Sequence, residues 1–175
     1  MKKWKKYFSA SLLTVVSAAT LAACSNKSSS SGTKQTLNWM TKSELQTLDL
    51  SKVTDGTSLD QINNSMEGLY RLGKNSKVEN ALATKTEVSK DGKVWHFTLR
   101  KNAKWSNGDP VTAKDFVYSW RRTVDPKTAS QYAYLFSGVK NADDVVAGKK
   151  KVETLGVKAD DNQHLPVTLD RRIPY

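Results

Sequence analysis

Apolar residues alternate with polar ones in one part of the chain and recur every three to four residues in others, which predicts a mixed α/β fold. The clearest alternation covers residues 94–100, so one face of this strand is expected to be buried. An Asp-Gly dipeptide at residues 91–92 has the turn chemistry of a two-residue hairpin connection, and it joins this strand to a predicted partner at residues 85–89. A further extended run is predicted at residues 36–40, and residues 155–159 and 166–169 are predicted to be paired strands.

Two other segments have helical spacing with recognisable ends. Apolar residues recur along residues 59–69, and Thr57 or Ser58 is available as the N-cap of a helix that would pack on the sheet. A shorter helix is predicted over residues 141–147, which lie between an asparagine cap and a glycine. The residues between 42 and 57 are rich in turn formers and are expected to form a loop.

The third predicted helix has the clearest start. Thr112 is a good N-cap, and Asp115 stands three residues later, where a carboxylate can complete a capping box. The Asp-Pro pair at residues 125–126 ends the helix, because the residue before a proline avoids helical angles. Three large aromatic residues of this region are expected to lie in the core: Trp105, Phe116 and Trp120.

The first 23 residues have the pattern of a secretory signal. Residues 1–6 contain four lysines, and residues 8–23 are uncharged and end in two alanines. This apolar stretch is shorter and more polar than the run of about 20 apolar residues that spans a membrane. We therefore expect residues 1–23 to be a signal peptide.

Cys24 is the only cysteine of the chain and directly follows Leu-Ala-Ala. The four residues look like a bacterial lipobox, which implies a lipid on Cys24 and a protein anchored in the cell membrane on its outer side, or facing the periplasm if the host has an outer membrane. Two or more acyl chains would make this anchoring stable. Residues 24–36 are expected to form a flexible tether, and residues 37–175 the folded part.

Charge and motifs exclude several other functions. The chain has a formal net charge of +11, but four of these charges lie in residues 1–6, which leaves +7 for the rest, with lysines scattered among acids. We expect no nucleic acid among the partners, because no recognised binding motif accompanies this charge. No catalytic residue, metal site or cofactor is predicted, since His96 and His164 are the only histidines and no nucleophile elbow or phosphate loop occurs.

One long motif carries a family resemblance. Residues 94–100, Val-Trp-His-Phe-Thr-Leu-Arg, and the run Trp-Ser-Asn-Gly-Asp-Pro-Val-Thr-Ala at residues 105–113 closely resemble the family 5 extracellular solute-binding proteins of ABC transporters. Residues 125–130 and 147–150 are similar to its oligopeptide-binding branch. The resemblance implies a type II periplasmic-binding-protein-like fold with two lobes that close over a peptide, of which this chain would form part of the first.

The resemblance also implies partners and ligand contacts. Short peptides would be captured outside the cell and delivered to the permease and ATPase subunits of an importer, without catalysis. Contacts with the peptide are expected from the loop around Ser58 and from the segment that follows Ser130. Four residues are the candidates: Ser58, Asp60, Tyr132 and Tyr134.

The chain also departs from the family pattern. Family members are several times longer, Pro166 falls where a strand usually continues, and Arg172 stands where a proline is usual. The expectation from these differences is an amino-terminal, truncated portion with impaired or no transport activity. The alternative is a short surface lipoprotein with an interaction role of its own.

Overall fold

The computed structural model describes residues 36–173, and the chain divides into two units after Met40. The described residues of the first unit, 36–40, form no strand, and Leu37, Trp39 and Met40 are largely exposed. The strand predicted there is therefore wrong, because no strand among the described residues forms hydrogen bonds with this run. The second unit, described over residues 41–173, contains the helices and strands given below.

Helices and strands alternate in this second unit, as the sequence predicts. Four single turns of 3₁₀ helix connect them, and one of these, Ala133–Phe136, belongs to the candidate site. In chain order the elements are α1 (Gly56–Ser65), β1 (Tyr70–Leu72), β2 (Val78–Asn80), β3 (Ala83–Val88), β4 (Val94–Leu99), α2 (Ala113–Val124), α3 (Ala142–Val146) and β5 (His164–Thr168).

Strand β4 is the centre of an antiparallel sheet with the order β3-β4-β5, and β1 and β2 form a separate pair. Phe97 of β4 lies opposite Thr86 of β3 and Leu165 of β5. Phe97 and Leu99 are buried, Trp95 is half-buried and His96 on the other face is exposed, so the predicted alternation of β4 is confirmed.

The β3–β4 hairpin has the predicted four-residue connection, residues 90–93, but not the predicted two-residue turn geometry. The Ser89 amide donates to the Val94 carbonyl at 2.9 Å, so four residues separate the strands. Gly92 has φ of +71°, and its amide donates to the Ser89 carbonyl. A two-residue type I′ turn needs positive φ at both central residues, and here only the glycine adopts it.

Pro166 lies within β5 without weakening its pairing to β4. The Leu99 amide donates to the Gln163 carbonyl, and the Leu169 amide donates to the Lys93 carbonyl, so these two pairs are hydrogen-bonded ones. Because bonded and non-bonded pairs alternate in an antiparallel ladder, the pair His96–Pro166 is a non-bonded one. The missing N–H of Pro166 therefore points away from β4.

The same proline prevents a strand on the other edge of β5. Residues 155–159 lie antiparallel to residues 166–169 as predicted, but the pairing is limited to an isolated bridge between Val157 and Val167, so residues 155–159 do not form the predicted strand. The Lys158 amide donates to the Pro166 carbonyl at 3.2 Å, and Pro166 has no N–H for the reciprocal bond.

Helix α2 begins and ends where the sequence predicts. Thr112 is its N-cap, and the Asp115 carboxylate accepts from the Thr112 amide at 2.6 Å and from its hydroxyl at 3.0 Å. Phe116, Val117 and Trp120 pack against the core under the sheet. Trp105 is not part of this core: it is 49% exposed, because it precedes a tight turn that projects from the surface.

Helix α1 begins two residues earlier than the predicted caps allow. Asp55 is its N-cap and accepts from the Ser58 amide at 2.8 Å, so the choice of Thr57 or Ser58 is wrong. An aspartate outranks threonine as a cap, and its carboxylate reaches the N3 amide from this position. The helix ends at Ser65, and its buried Ile62 is not among the residues of the main core cluster under the sheet.

Candidate functional site

Three of the four predicted ligand contacts lie in two segments, and the fourth, Asp60, lies just after the first of them. The loop segment is residues 43–58, and the tyrosine segment is residues 131–136. Among residues 36–173 no hydrogen bond or ring contact joins Ser58 or Asp60 directly to Tyr132 or Tyr134. Both segments are instead attached to the same helix, α2.

Ser58 closes the loop segment on itself. Its hydroxyl oxygen accepts from the amides of Gln46 at 3.2 Å and Thr47 at 3.3 Å, and the residue is fully buried. A ligand would reach this hydroxyl only if the loop segment moved, and its role as a ligand contact stays a prediction. Asp60 is exposed on the second turn of α1, where a carboxylate is accessible to a ligand.

The tyrosine segment presents two aromatic rings at the surface. The ring centroids of Tyr132 and Tyr134 lie 6.1 Å apart with their planes tilted by 56°. Tyr134 is 62% exposed and Tyr132 is half-buried, whereas Ala133 between them is buried and fixes the backbone. Such a pair offers apolar contact area together with two hydroxyl groups.

Helix α2 anchors the loop segment by polar contacts that the sequence does not predict. The Arg122 guanidinium donates to both oxygens of Asp49, each at 2.6 Å, and the Ser51 and Thr123 hydroxyls lie 2.9 Å apart in a buried contact. The hydrogen bonds from Arg122 lower the pKa of the Asp49 carboxyl, and the same bonds raise the pKa of Arg122. These partners are more than 70 residues apart, so no local pattern reveals them.

The tyrosine segment is attached to the same end of helix α2. The Trp120 ring meets the Phe136 ring edge-on, with centroids 5.4 Å apart. Trp120 is three residues before Thr123, so the two attachment points lie on adjacent turns of the helix. The structure therefore brings both predicted contact segments to one support, the last two turns of α2.

Two open clefts lie beside α2, away from the predicted contact residues. One measures about 640 Å³ and the other about 530 Å³, and both are lined by Lys114 and Ala159. The larger one is also lined by Tyr118, Arg121 and Glu153. No residue predicted to bind ligand lines either cleft.

The described part of the chain contains neither a metal-binding cluster nor a helix that could span a membrane. Within residues 36–173 no group of three or more His, Cys, Asp or Glu side chains is arranged to hold a metal ion. No helix in the same range is long and apolar enough to cross a bilayer. Cys24 and the predicted signal peptide lie outside the described residues.

The mixed α/β unit belongs to the type II periplasmic-binding-protein-like fold, which is the fold class of the extracellular solute-binding proteins. A sequence model of the bacterial extracellular solute-binding proteins, family 5, matches residues 77–174. The chain belongs to this family, which confirms the resemblance drawn from the sequence.

Similar proteins agree with this assignment. The dipeptide-binding protein of Lactococcus lactis subsp. cremoris is 42% identical over 173 residues, or 99% of this chain and 31% of that protein. The periplasmic oligopeptide-binding protein OppA of Salmonella typhimurium is 43% identical over 175 residues, or 98% of this chain and 32% of that protein. The chain thus spans about a third of the length of these relatives.

Solved structures show the same fold. Listeria monocytogenes OppA bound to peptide has a TM-score of 0.70 and 51% identity, over 71% of this chain and 25% of that one. The substrate-binding domain of an oligopeptide ABC transporter from Bacillus anthracis has a TM-score of 0.74 and 52% identity, over 75% of this chain and 26% of that one.

Proposed function

We propose that this chain is part of the peptide-binding component of an ABC importer, which captures peptides outside the cell and delivers them to a permease and its ATPase subunits. The observation that carries this proposal is the similarity to the peptide-bound Listeria protein, at 51% identity and a TM-score of 0.70. The function is binding, without a chemical step.

The tyrosine segment is the part of the surface that fits this function best. The paired rings of Tyr132 and Tyr134 offer apolar area to peptide side chains, and their hydroxyls can bond to a peptide backbone or to bridging water. Recognition through the peptide main chain would tolerate many side chains, since alternate side chains of an extended peptide enter hydrated pockets. Asp60 offers an exposed carboxylate to a cationic group of the ligand.

A calorimetric titration tests the proposal. The full chain, purified in mild detergent and shown to melt cooperatively, is titrated with an equimolar tripeptide library. Saturable heat that disappears when Tyr132 and Tyr134 are both replaced by alanine supports peptide binding at this surface. A folded chain that takes up no tripeptide contradicts the proposal for this chain.

We also propose that Cys24 is acylated and anchors the protein on the outer side of the cell membrane. The supporting feature is the Leu-Ala-Ala-Cys sequence at residues 21–24 after an uncharged stretch. Cells fed an alkyne-tagged palmitate should label the wild-type chain, and Cys24→Ser should remove the label because the chain has no other cysteine. Retained label in Cys24→Ser argues against this anchor.

A further inference from the structure

Apolar burial holds little of the loop segment in place. Its three leucines, Leu45, Leu48 and Leu50, are each about half exposed. Within residues 43–55 only Ser51 and Val53 are buried. A segment with so little buried apolar surface needs other contacts to keep one conformation, because each ordered backbone residue costs about 1–2 kcal/mol of entropy.

Polar contacts with helix α2 supply that order. The two bonds from Arg122 to Asp49 form a planar fork that fixes direction as well as distance. Asp49 in turn accepts from the Ser51 amide at 3.0 Å, and the Ser51 hydroxyl reaches Thr123. One carboxylate thus connects the helix to the backbone of the loop segment.

The rest of the loop segment is fixed from Ser58. Its hydroxyl accepts from the amides of residues 46 and 47, which ties the start of the segment to α1. The Asp49 carbonyl accepts from the amides of Lys52 and Val53, which forms a tight turn between these two anchors. A displacement of Asp49 would therefore also displace the residues between these two anchors.

We propose that Arg122 is a positioning residue of the peptide site. By holding Asp49, it keeps the loop segment at a fixed distance from the tyrosine segment, which is attached one turn earlier through Trp120. This inference rests on the proposed function, because it assigns the two segments to one ligand surface. Arg122 itself would not contact the peptide.

Arg121 provides a matched control. It is the neighbouring residue on the same helix, but its guanidinium donates to the Glu153 carbonyl and not to the loop segment. Arg122→Gln and Arg121→Gln each remove one positive charge; the first loses two bonds to a carboxylate and the second loses one bond to a backbone carbonyl. Only the first should release the loop segment.

The test measures two properties of the full chain at a temperature well below its melting point. The first is hydrogen exchange of residues 43–58, followed by mass spectrometry, and the second is the apparent Kd for the tripeptide library. In Arg122→Gln we expect at least tenfold faster exchange and at least fivefold weaker binding, and in Arg121→Gln neither change. Arg122→Lys should be intermediate, because lysine keeps the charge but cannot form the fork.

The outcomes separate the inference from the proposed function. Unchanged exchange in Arg122→Gln overturns the inference, and so does faster exchange with unchanged peptide affinity. Absence of tripeptide binding by the wild-type chain overturns the proposed function, while the exchange of residues 43–58 still shows whether Arg122 holds the segment. If Arg122→Gln does not melt cooperatively, Arg122→Lys replaces it, and exchange of residues 43–58 as slow as in the wild-type chain counts against the inference.

Discussion

The Asp115 carboxylate accepts from both the amide and the hydroxyl of Thr112, so one oxygen atom closes the first turn of helix α2. Asp115→Ala removes both bonds and the negative charge at the helix start. We expect it to lower the free energy of unfolding by about 1 kcal/mol. Urea denaturation followed by circular dichroism measures the change.

Lys114→Ala is the control for this change, because Lys114 is exposed on the same turn. Its effect should stay within about 0.5 kcal/mol. An equal loss of stability in both variants would show that the capping interaction is not responsible.

Pro166 offers a test of how the edge of β5 is built. Pro166→Val restores an N–H that points at residue 158, where only the reverse bond now exists. The new bond contributes about 0.5–1.5 kcal/mol, and the loss of the proline constraint in the unfolded chain costs about 0.4–1 kcal/mol. Stability should thus change little, while the amide of residue 166 becomes protected from hydrogen exchange. A rapidly exchanging amide at that position would contradict the assigned pairing.

Leu165 tests the core beneath the sheet. It is fully buried between β4 and the helices, and Leu165→Ala should cost about 2–5 kcal/mol through lost contact and the cavity left behind. Leu135→Ala is the matched change at a leucine that is 67% exposed, and it should cost less than about 0.5 kcal/mol. Thermal melts measure the stability of both variants. A similar loss of stability in the two would mean that Leu165 is not part of the core.

Asp161 gives the chain an acid-sensitive contact. Its carboxylate accepts from the Gln163 amide, from the His164 ring and from the His164 amide, which lowers its pKa from 3.8 to about 2. Because the folded-state pKa is depressed, the contact stabilises the fold above pH 3.8 and its contribution is lost as the pH falls towards 2. Carbon-detected NMR titration of the carboxyl group should give a midpoint near 2. A midpoint near 3.8 would mean that these bonds do not persist in solution.

Tyr132 is the residue on which we expect peptide affinity to depend most. Tyr132→Ala should weaken tripeptide binding by about two- to tenfold, the usual worth of one aromatic contact, without lowering the melting temperature by more than a few degrees. Tyr118→Ala removes a tyrosine that is 70% exposed on helix α2. Tyr118 lines the larger cleft, which contains no predicted contact residue, so this change should leave peptide affinity unchanged. Equal effects of the two changes, measured by calorimetry, would indicate that the peptide binds elsewhere.

Local signals predicted the elements well where one short stretch contains all the determinants. The ends of α2 follow from Thr112, Asp115 and the proline at residue 126, and the β4 pattern follows from its alternation. Local signals failed where a distant partner decides the outcome. Residues 155–159 have the pattern of a strand, but the Lys158 amide bonds to Pro166, which has no N–H to return the bond. Residues 36–40 have an extended pattern, but no strand among the described residues pairs with them.

The candidate site was predictable only in part for the same reason. Tyr134 is exposed and Tyr132 is half-buried, so both rings reach the surface, and their choice rested on family resemblance. The loop segment was recognised as a loop, but its support from Arg122 was not, because charged residues are common on helices and their partners cannot be read from spacing. The buried state of Ser58 likewise depends on two amides eleven and twelve residues earlier.

The place of β5 at one side of β4 sets a condition on how this unit assembles. Strands β3 and β4 are neighbours in the sequence and can pair as soon as both are free, whereas β5 begins 65 residues after the end of β4. The contacts of Phe97 with Leu165 and Val167 of β5 must therefore wait for a long loop to close. A chain that emerges from its first residue onward leaves one edge of its central strand unpaired until residue 168 has appeared, so the sheet is completed late rather than progressively.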